Sequence, residues 1–209
     1  MPFDLYDQSQ KYVKWQDQQT FILGKLLLLQ CLANAGYGKI TLDKLKYNQY
    51  GKPFLDDDID FNISHSGNFV FCALGEKVKL GIDVEMISDI EFVDFHEVMT
   101  QKQWLIINNS ENPIESFFRL WTIKESIIKA EGKGFSISPL NVLVNNKIAN
   151  YQRNIWYLKE LYLNSKICIC LATNIRDFKL NFVEMEFTSG IKELNLNSPL
   201  RERESLLFN

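Results

Sequence analysis

Histidine is scarce in this chain: His65 and His96 are the only two in 209 residues. The four cysteines, Cys31, Cys72, Cys168 and Cys170, form no C-x-x-C pair. A zinc site needs several nitrogen and sulfur ligands and has little to build on here. Charge of one sign is not in excess either, with 23 Lys and Arg against 26 Asp and Glu and a net charge of -3. That argues against a general nucleic-acid binder, whose affinity rests on clustered basic charge. Long apolar runs are missing too. Leu26–Leu29 with its neighbours falls far short of the ~20 residues a bilayer span requires, so no membrane partner is expected. The opening Met1–Asp7 has no basic stretch leading into an apolar one, and no secretory signal is expected. No low-complexity linker or close internal repeat divides the chain.

What is present suits a sizeable core: 46% of residues are hydrophobic and 13% aromatic, which excludes a mostly disordered chain. Such a core does not need disulfides, so a reducing, cytoplasmic setting is expected. Cys168 and Cys170 sit in Lys166–Thr173, which reads as a buried strand. Two residues apart, they share a strand face; buried free thiols account for them better than a metal pair.

Ile22, Leu23, Leu26, Leu27, Gln30 and Cys31 recur at helical spacing and predict a helix over Thr20–Asn34, broken by Gly36 and Gly38. Tyr50–Phe54 reads as a turn. Phe61–Ile63 and Phe69–Leu74 read as strands flanking a small-residue turn, Ser64–Asn68. Lys79–Glu85 alternates and reads as another strand. Pro113–Glu131 is the clearest helix: Asn112 can cap it, Pro113 suits its first turn and Gly132 ends it. Leu140–Val144, Ile155–Tyr162, Lys166–Thr173 and Leu180–Phe187 read as strands, and the tail after Ser189 as polar and loose. The pattern predicts an α+β chain of two halves, 1–100 and 101–209, forming one compact unit.

Four groups of residues could carry chemistry. Strand geometry puts Asp83 and Glu85 on one face; paired carboxylates repel unless a cation lies between them, and few hard oxygen ligands suit Mg²⁺. A solvated outer strand face explains an isolated D-x-E better. Glu125 and Lys129, four apart on the helix, are neighbours, and taken alone a surface ion pair explains them better. Lys124 is odder, because it falls near the middle of the apolar stripe and must snorkel, pair or reach a ligand. Ser64 and His65, in the small-residue turn, could hold a phosphate or simply satisfy the turn. Lys52 in Gly51-Lys-Pro53 reads, alone, as a turn lysine in solvent.

No one of these groups is specific; their order is. Gly51-Lys-Pro53, Phe61-Asn-Ile-Ser-His-Ser-Gly67, Gly81-Ile-Asp-Val-Glu85 and Trp121-Thr-Ile-Lys-Glu-Ser-Ile-Ile-Lys129 resemble, together, the surfactin-type 4'-phosphopantetheinyl transferases. The resemblance runs from about Thr20 to about Asn174. It implies two similar α/β halves packed as a pseudo-dimer in one chain, with coenzyme A and Mg²⁺ between them. It implies that Asp83, Glu85 and Glu125 hold the metal, and that Lys129 contacts the phosphates. It implies that Ser64 and His65 contact the nucleotide 3'-phosphate and that Lys52 faces coenzyme A. On this reading Glu125 takes the proton from a serine of an apo acyl- or peptidyl-carrier protein, and Lys129 stabilises the departing adenosine 3',5'-bisphosphate. The size favours a monomer. Members often carry basic residues before the L-G of the first helix; here Asp17-Gln-Gln-Thr-Phe-Ile-Leu-Gly24 has none, leaving Lys11, Lys14 or Lys25 as substitutes.

A non-catalytic coenzyme-A-binding or interaction module on the same fold is the competing class. It would be expected to lose the metal-binding carboxylates, and all three are present.

Overall fold

The structure, a computed structural model, describes residues 3–55, 58–187, 191–194 and 201–202. Two helices open the chain, α1 (Phe3–Ser9) and α2 (Trp15–Asn34). Short strands β1 (Lys46–Tyr47) and β2 (Pro53–Phe54) pair with each other and lead to a hairpin, β3 (Ile59–Ser66) and β4 (Phe69–Glu76). Strand β5 (Leu80–Met86) precedes helices α3 (Gln101–Asn108) and α4 (Pro113–Glu131). The rest is strand: β6 (Leu143–Asn145), β7 (Ile148–Tyr151), β8 (Asn154–Tyr162), β9 (Ile167–Thr173), β10 (Glu184–Phe187), β11 (Ile191–Leu194) and β12 (Arg201–Glu202). The main sheet runs β5-β9-β8-β7-β6 with β12 on β8. The architecture is mixed α and β, as expected. Among the described residues, no helix is long and apolar enough to cross a membrane.

Strand β5 is the hinge of the architecture. One edge pairs antiparallel with β9, Asp83 opposite Cys170 and Glu85 opposite Cys168. Every second N–H points to the other edge, and there no strand backbone receives it. Instead the alternate side chains of β3 do: Leu80 N–H donates to Asp60 Oδ2 at 2.8 Å, Ile82 N–H to Asn62 Oδ1 at 2.9 Å, Val84 N–H to Ser64 Oγ at 3.2 Å and Met86 N–H to Ser66 Oγ at 2.9 Å. Buried amides need acceptors, and the D-x-N-x-S-x-S alternation of β3 supplies four along one face. The opposite face, Ile59, Phe61 and Ile63, packs into the core beneath α2.

Helix α4 lies against β5 and β9, with eleven of its nineteen residues buried and none fully exposed. Asn112 caps it by accepting the Glu115 N–H at 3.2 Å, and Gly132 ends it in the left-handed region at φ 69°. Gly81 lets helix and strand touch, since a methyl there would overlap Ser126 O and Ala130 N. Arg119 fixes the helix to β8 through a bidentate pair with Glu160, at 2.8 and 3.1 Å.

Several boundaries differ from the sequence reading. Helix α2 starts five residues earlier, at Trp15, and buries Gly24, Lys25, Leu28 and Leu32 rather than the expected face. Four consecutive leucines carry no helical phase, and it is Gly24, against Ile63, that sets the contact. The turn expected over Ser64–Asn68 shrinks to Gly67 and Asn68, with Gly67 at φ 57°. Ser64, His65 and Ser66 are therefore strand residues. Around Leu140–Val144, Pro139 opens a 3₁₀ turn over Pro139–Asn141, and the strand is only Leu143–Asn145. Of Leu180–Phe187 only Glu184–Phe187 is strand. Cys168 and Cys170 are buried and free, as expected. The tail expected to be loose after Ser189 lies mostly outside the described residues.

Candidate active site

Asp83 and Glu85 leave β5 on the face that α4 covers, and Glu125 and Lys129 come from that helix. The solvated strand face is not what forms: Asp83 is 2% exposed. The Lys129 ammonium lies 2.5 Å from Asp83 Oδ1 and 2.7 Å from Ser64 Oγ. Ser64 Oγ in turn donates to Asp83 Oδ1 at 3.1 Å while accepting the Val84 N–H. One hydroxyl thus joins the motif of β3, the acid of β5 and the lysine of α4. The expected Glu125–Lys129 surface pair gives way to an ion pair between a half-buried Lys129 and a buried Asp83, a change no spacing rule anticipates.

Electrostatically the site is short of positive charge. Burial pushes the Asp83 carboxyl up, against the pull of Lys129 and Ser64. Burial and then the Asp83 charge push Glu85 up, while the hydrogen bond from Ser66 and the Lys129 charge partly offset this. Glu125 rises to about 7, from burial first and then the Asp83 and Glu85 charges, with Lys129 opposing. Asp83 Oδ2 is buried and finds no hydrogen-bond partner among the described residues. Among the described residues no three His, Cys or acidic side chains form a preassembled metal cluster. An unpartnered buried carboxylate oxygen beside two further acids nevertheless fits Mg²⁺, which takes one or two carboxylates and completes its shell with water and substrate phosphate.

The remaining sequence candidates fall in different places. His65 is exposed on β3, next to Ser64. Lys52 is not in solvent: its ammonium donates to Asp60 Oδ2 at 3.2 Å and to the carbonyls of Leu80 and Ala130 at 3.3 Å each. Those three bonds use its three protons and tie the turn to the first rung of the β3 ladder and the end of α4. Lys124 is fully buried and donates to Val98 O at 3.0 Å and Pro139 O at 2.8 Å; burial pulls it down to about 8. Lys25 is 6% exposed, with its ammonium 5.2 Å from the Phe21 ring centre. Ser66, which the sequence offers only as part of the small-residue turn, is instead a strand residue whose hydroxyl reaches Glu85 Oε2 at 3.3 Å. A cavity of about 270 Å³ at β7 and β8, lined among others by Lys147, Tyr157, Lys159 and Arg176, contains none of these residues.

Two family profiles cover most of the chain. That of the 4'-phosphopantetheinyl transferase superfamily matches residues 79–180, and that of the 4'-phosphopantetheinyl transferase N-terminal region matches residues 6–77. The chain belongs to the 4'-phosphopantetheinyl transferase superfamily. Among its relatives, the 4'-phosphopantetheinyl transferase gsp of Aneurinibacillus migulanus is 42% identical over 136 residues, 63% of this chain and 55% of that protein. The 4'-phosphopantetheinyl transferase Sfp of Bacillus subtilis is 30% identical over 139 residues, 63% of this chain and 60% of that protein. The L-aminoadipate-semialdehyde dehydrogenase-phosphopantetheinyl transferase of Mus musculus is 30% identical over 161 residues, 63% of this chain and 51% of that protein. In these three matches the chain spans only about half to three-fifths of the relative's length.

Proposed function

We propose that this protein transfers the 4'-phosphopantetheine arm of coenzyme A to a serine of an apo acyl- or peptidyl-carrier protein. The observation that carries this reading is the packing of α4 onto β5, which pairs Lys129 with Asp83, brings the charges of Glu85 and Glu125 within range of Asp83, and buries one Asp83 oxygen without a hydrogen-bond partner among the described residues. Asp83, Glu85 and Glu125 would hold Mg²⁺, which when bound would neutralise charge on the pyrophosphate.

The chain's own residues then have separable tasks. Glu125, with its carboxyl near 7 in the free protein, accepts the serine proton as the hydroxyl oxygen attacks phosphorus. The phosphorus–oxygen bond to the nucleotide side breaks, and adenosine 3',5'-bisphosphate leaves. Lys129 places its ammonium where that negative charge develops. Ser64 holds both Lys129 and Asp83, and exposed His65 beside it reaches the 3'-phosphate. Lys52 supports this site from the coenzyme side through Asp60 and the end of α4. We place coenzyme A between an N-terminal half, 1–100, and a C-terminal half, 101–209, arranged as a pseudo-dimer within a cytoplasmic monomer.

Intact-mass analysis of an apo carrier protein incubated with this protein, coenzyme A and Mg²⁺ tests the proposal. A gain of one phosphopantetheine arm that disappears with a chelator is expected. No gain on acyl- or peptidyl-carrier substrates would overturn it.

A further inference from the structure

The carboxylate pair of β5 is not aimed by its own strand alone. The ladder from β3 meets β5 in parallel, and its last two rungs do more than accept backbone amides. Ser64 accepts the Val84 N–H and donates to Asp83 Oδ1 at 3.1 Å; Ser66 accepts the Met86 N–H and donates to Glu85 Oε2 at 3.3 Å. Each hydroxyl therefore binds the amide that follows an acid and the carboxylate of that acid. The first two rungs, Asp60 and Asn62, hold Leu80 and Ile82 and touch no carboxylate of β5.

The pairing has a physical consequence. A strand carboxylate ordinarily samples several rotamers, and two like charges on one face drive each other apart. A donor fixed at both backbone and side chain removes that freedom. Glu85 is held in this way by Ser66 on β3, within range of the Asp83 charge on the same strand face.

We propose that Ser66 is a positioning residue for Glu85, as Ser64 is for Asp83, and that the β3 ladder presets the carboxylate geometry for a divalent cation. This rests on the metal assignment in the proposed function, and the test keeps the two apart. Mn²⁺ alone, without coenzyme A, is titrated into the full chain and the loss of the free-Mn²⁺ electron paramagnetic resonance signal is followed. In Ser66→Ala the dissociation constant rises about tenfold, the scale on which outer residues tune metal sites. In Ser66→Thr, which keeps the hydroxyl, it returns close to wild type. In Asn62→Ala, which breaks a rung that touches no carboxylate, melting temperature falls while Mn²⁺ affinity is unchanged. Equal affinity in Ser66→Ala and wild type, an equal loss in Asn62→Ala, or no Mn²⁺ binding by wild type would each overturn the proposal. The transferase reading is judged separately, by the carrier mass gain with wild-type protein.

Discussion

Lys129 places its ammonium 2.5 Å from Asp83 Oδ1, while Asp83 Oδ2, buried on the same carboxylate, has no hydrogen-bond partner among the described residues. Removing one partner of such a pair strands the other. Lys129→Met should lower stability by about 1–3 kcal/mol near pH 8 and reduce turnover at least about 100-fold. Adding Asp83→Asn should recover most of the stability and none of the activity. Chemical denaturation of both variants, with carrier-modification rates, checks this; a stability loss that persists in the double variant would refute the pairing.

Glu125 works against the fold. Its carboxyl is raised to about 7 by burial and by Asp83 and Glu85, so the folded chain holds its proton more tightly than the unfolded chain does. The stability this contributes is complete below about 4.5 and is lost as pH rises through 7. Glu125→Gln, which mimics the protonated form, should therefore gain on the order of 1–3 kcal/mol over wild type at pH 8 and nothing at pH 4. It should lose about 100-fold or more in rate. In wild type, kcat/KM should rise as pH increases through about 7. Near-normal rates in Glu125→Gln would remove the base assignment.

Gly81 is required by contact rather than by dihedral angle. A methyl at this position runs into the backbone of α4 at Ser126 and Ala130, and backbone cannot move aside as a flexible side chain does. Gly81→Ala should cost about 3 kcal/mol or more and should push Asp83 away from Lys129. Thermal melting reads the first effect and coenzyme-A calorimetry the second. A Tm within a degree of wild type would show that the helix shifts freely.

The buried Lys124 makes a prediction of opposite sign to Glu125. Its ammonium is pulled down to about 8 by burial, so between pH 8 and its unfolded value the unfolded chain holds more protons. Stability therefore rises with pH across that window. Relative to Lys124→Met, wild type should gain on the order of 1–3 kcal/mol between pH 7 and pH 10. Parallel pH profiles for the two proteins would contradict the burial of a charge at this site.

Nucleotide selectivity should be relaxed. Lys25, one substitute for the missing basic residues at Asp17–Leu23, is buried against Phe21, leaving Lys11 and Lys14 exposed on the surface. On the proposed function, dephospho-coenzyme A should support carrier modification with a kcat/KM within about tenfold of coenzyme A. Discrimination beyond about 100-fold would show that the 3'-phosphate is gripped by other residues.

Much of this was legible in the chain itself. The carboxylates of Gly81-Ile-Asp-Val-Glu85 share a face because a strand repeats every two residues. Helix α4 announced both ends, through Asn112, Pro113 and Gly132, because caps are local chemistry. The family followed from the order of four short motifs. What the sequence could not decide was which motif meets which, because spacing describes neighbours within one element and says nothing of the element packed against it. Lys129 chose Asp83 over Glu125, four residues away on its own helix, only because Gly81 lets α4 close onto β5. Lys52, read as a turn lysine in solvent, became a buried three-way tie because Asp60, Leu80 and Ala130 converge on it. Ser64 and Ser66 left the turn for the strand because the free amide edge of β5 needed acceptors. Local periodicity determined the elements and supplied the reactive groups; tertiary packing alone, by setting which polar atoms lost water together, decided which of them became a site.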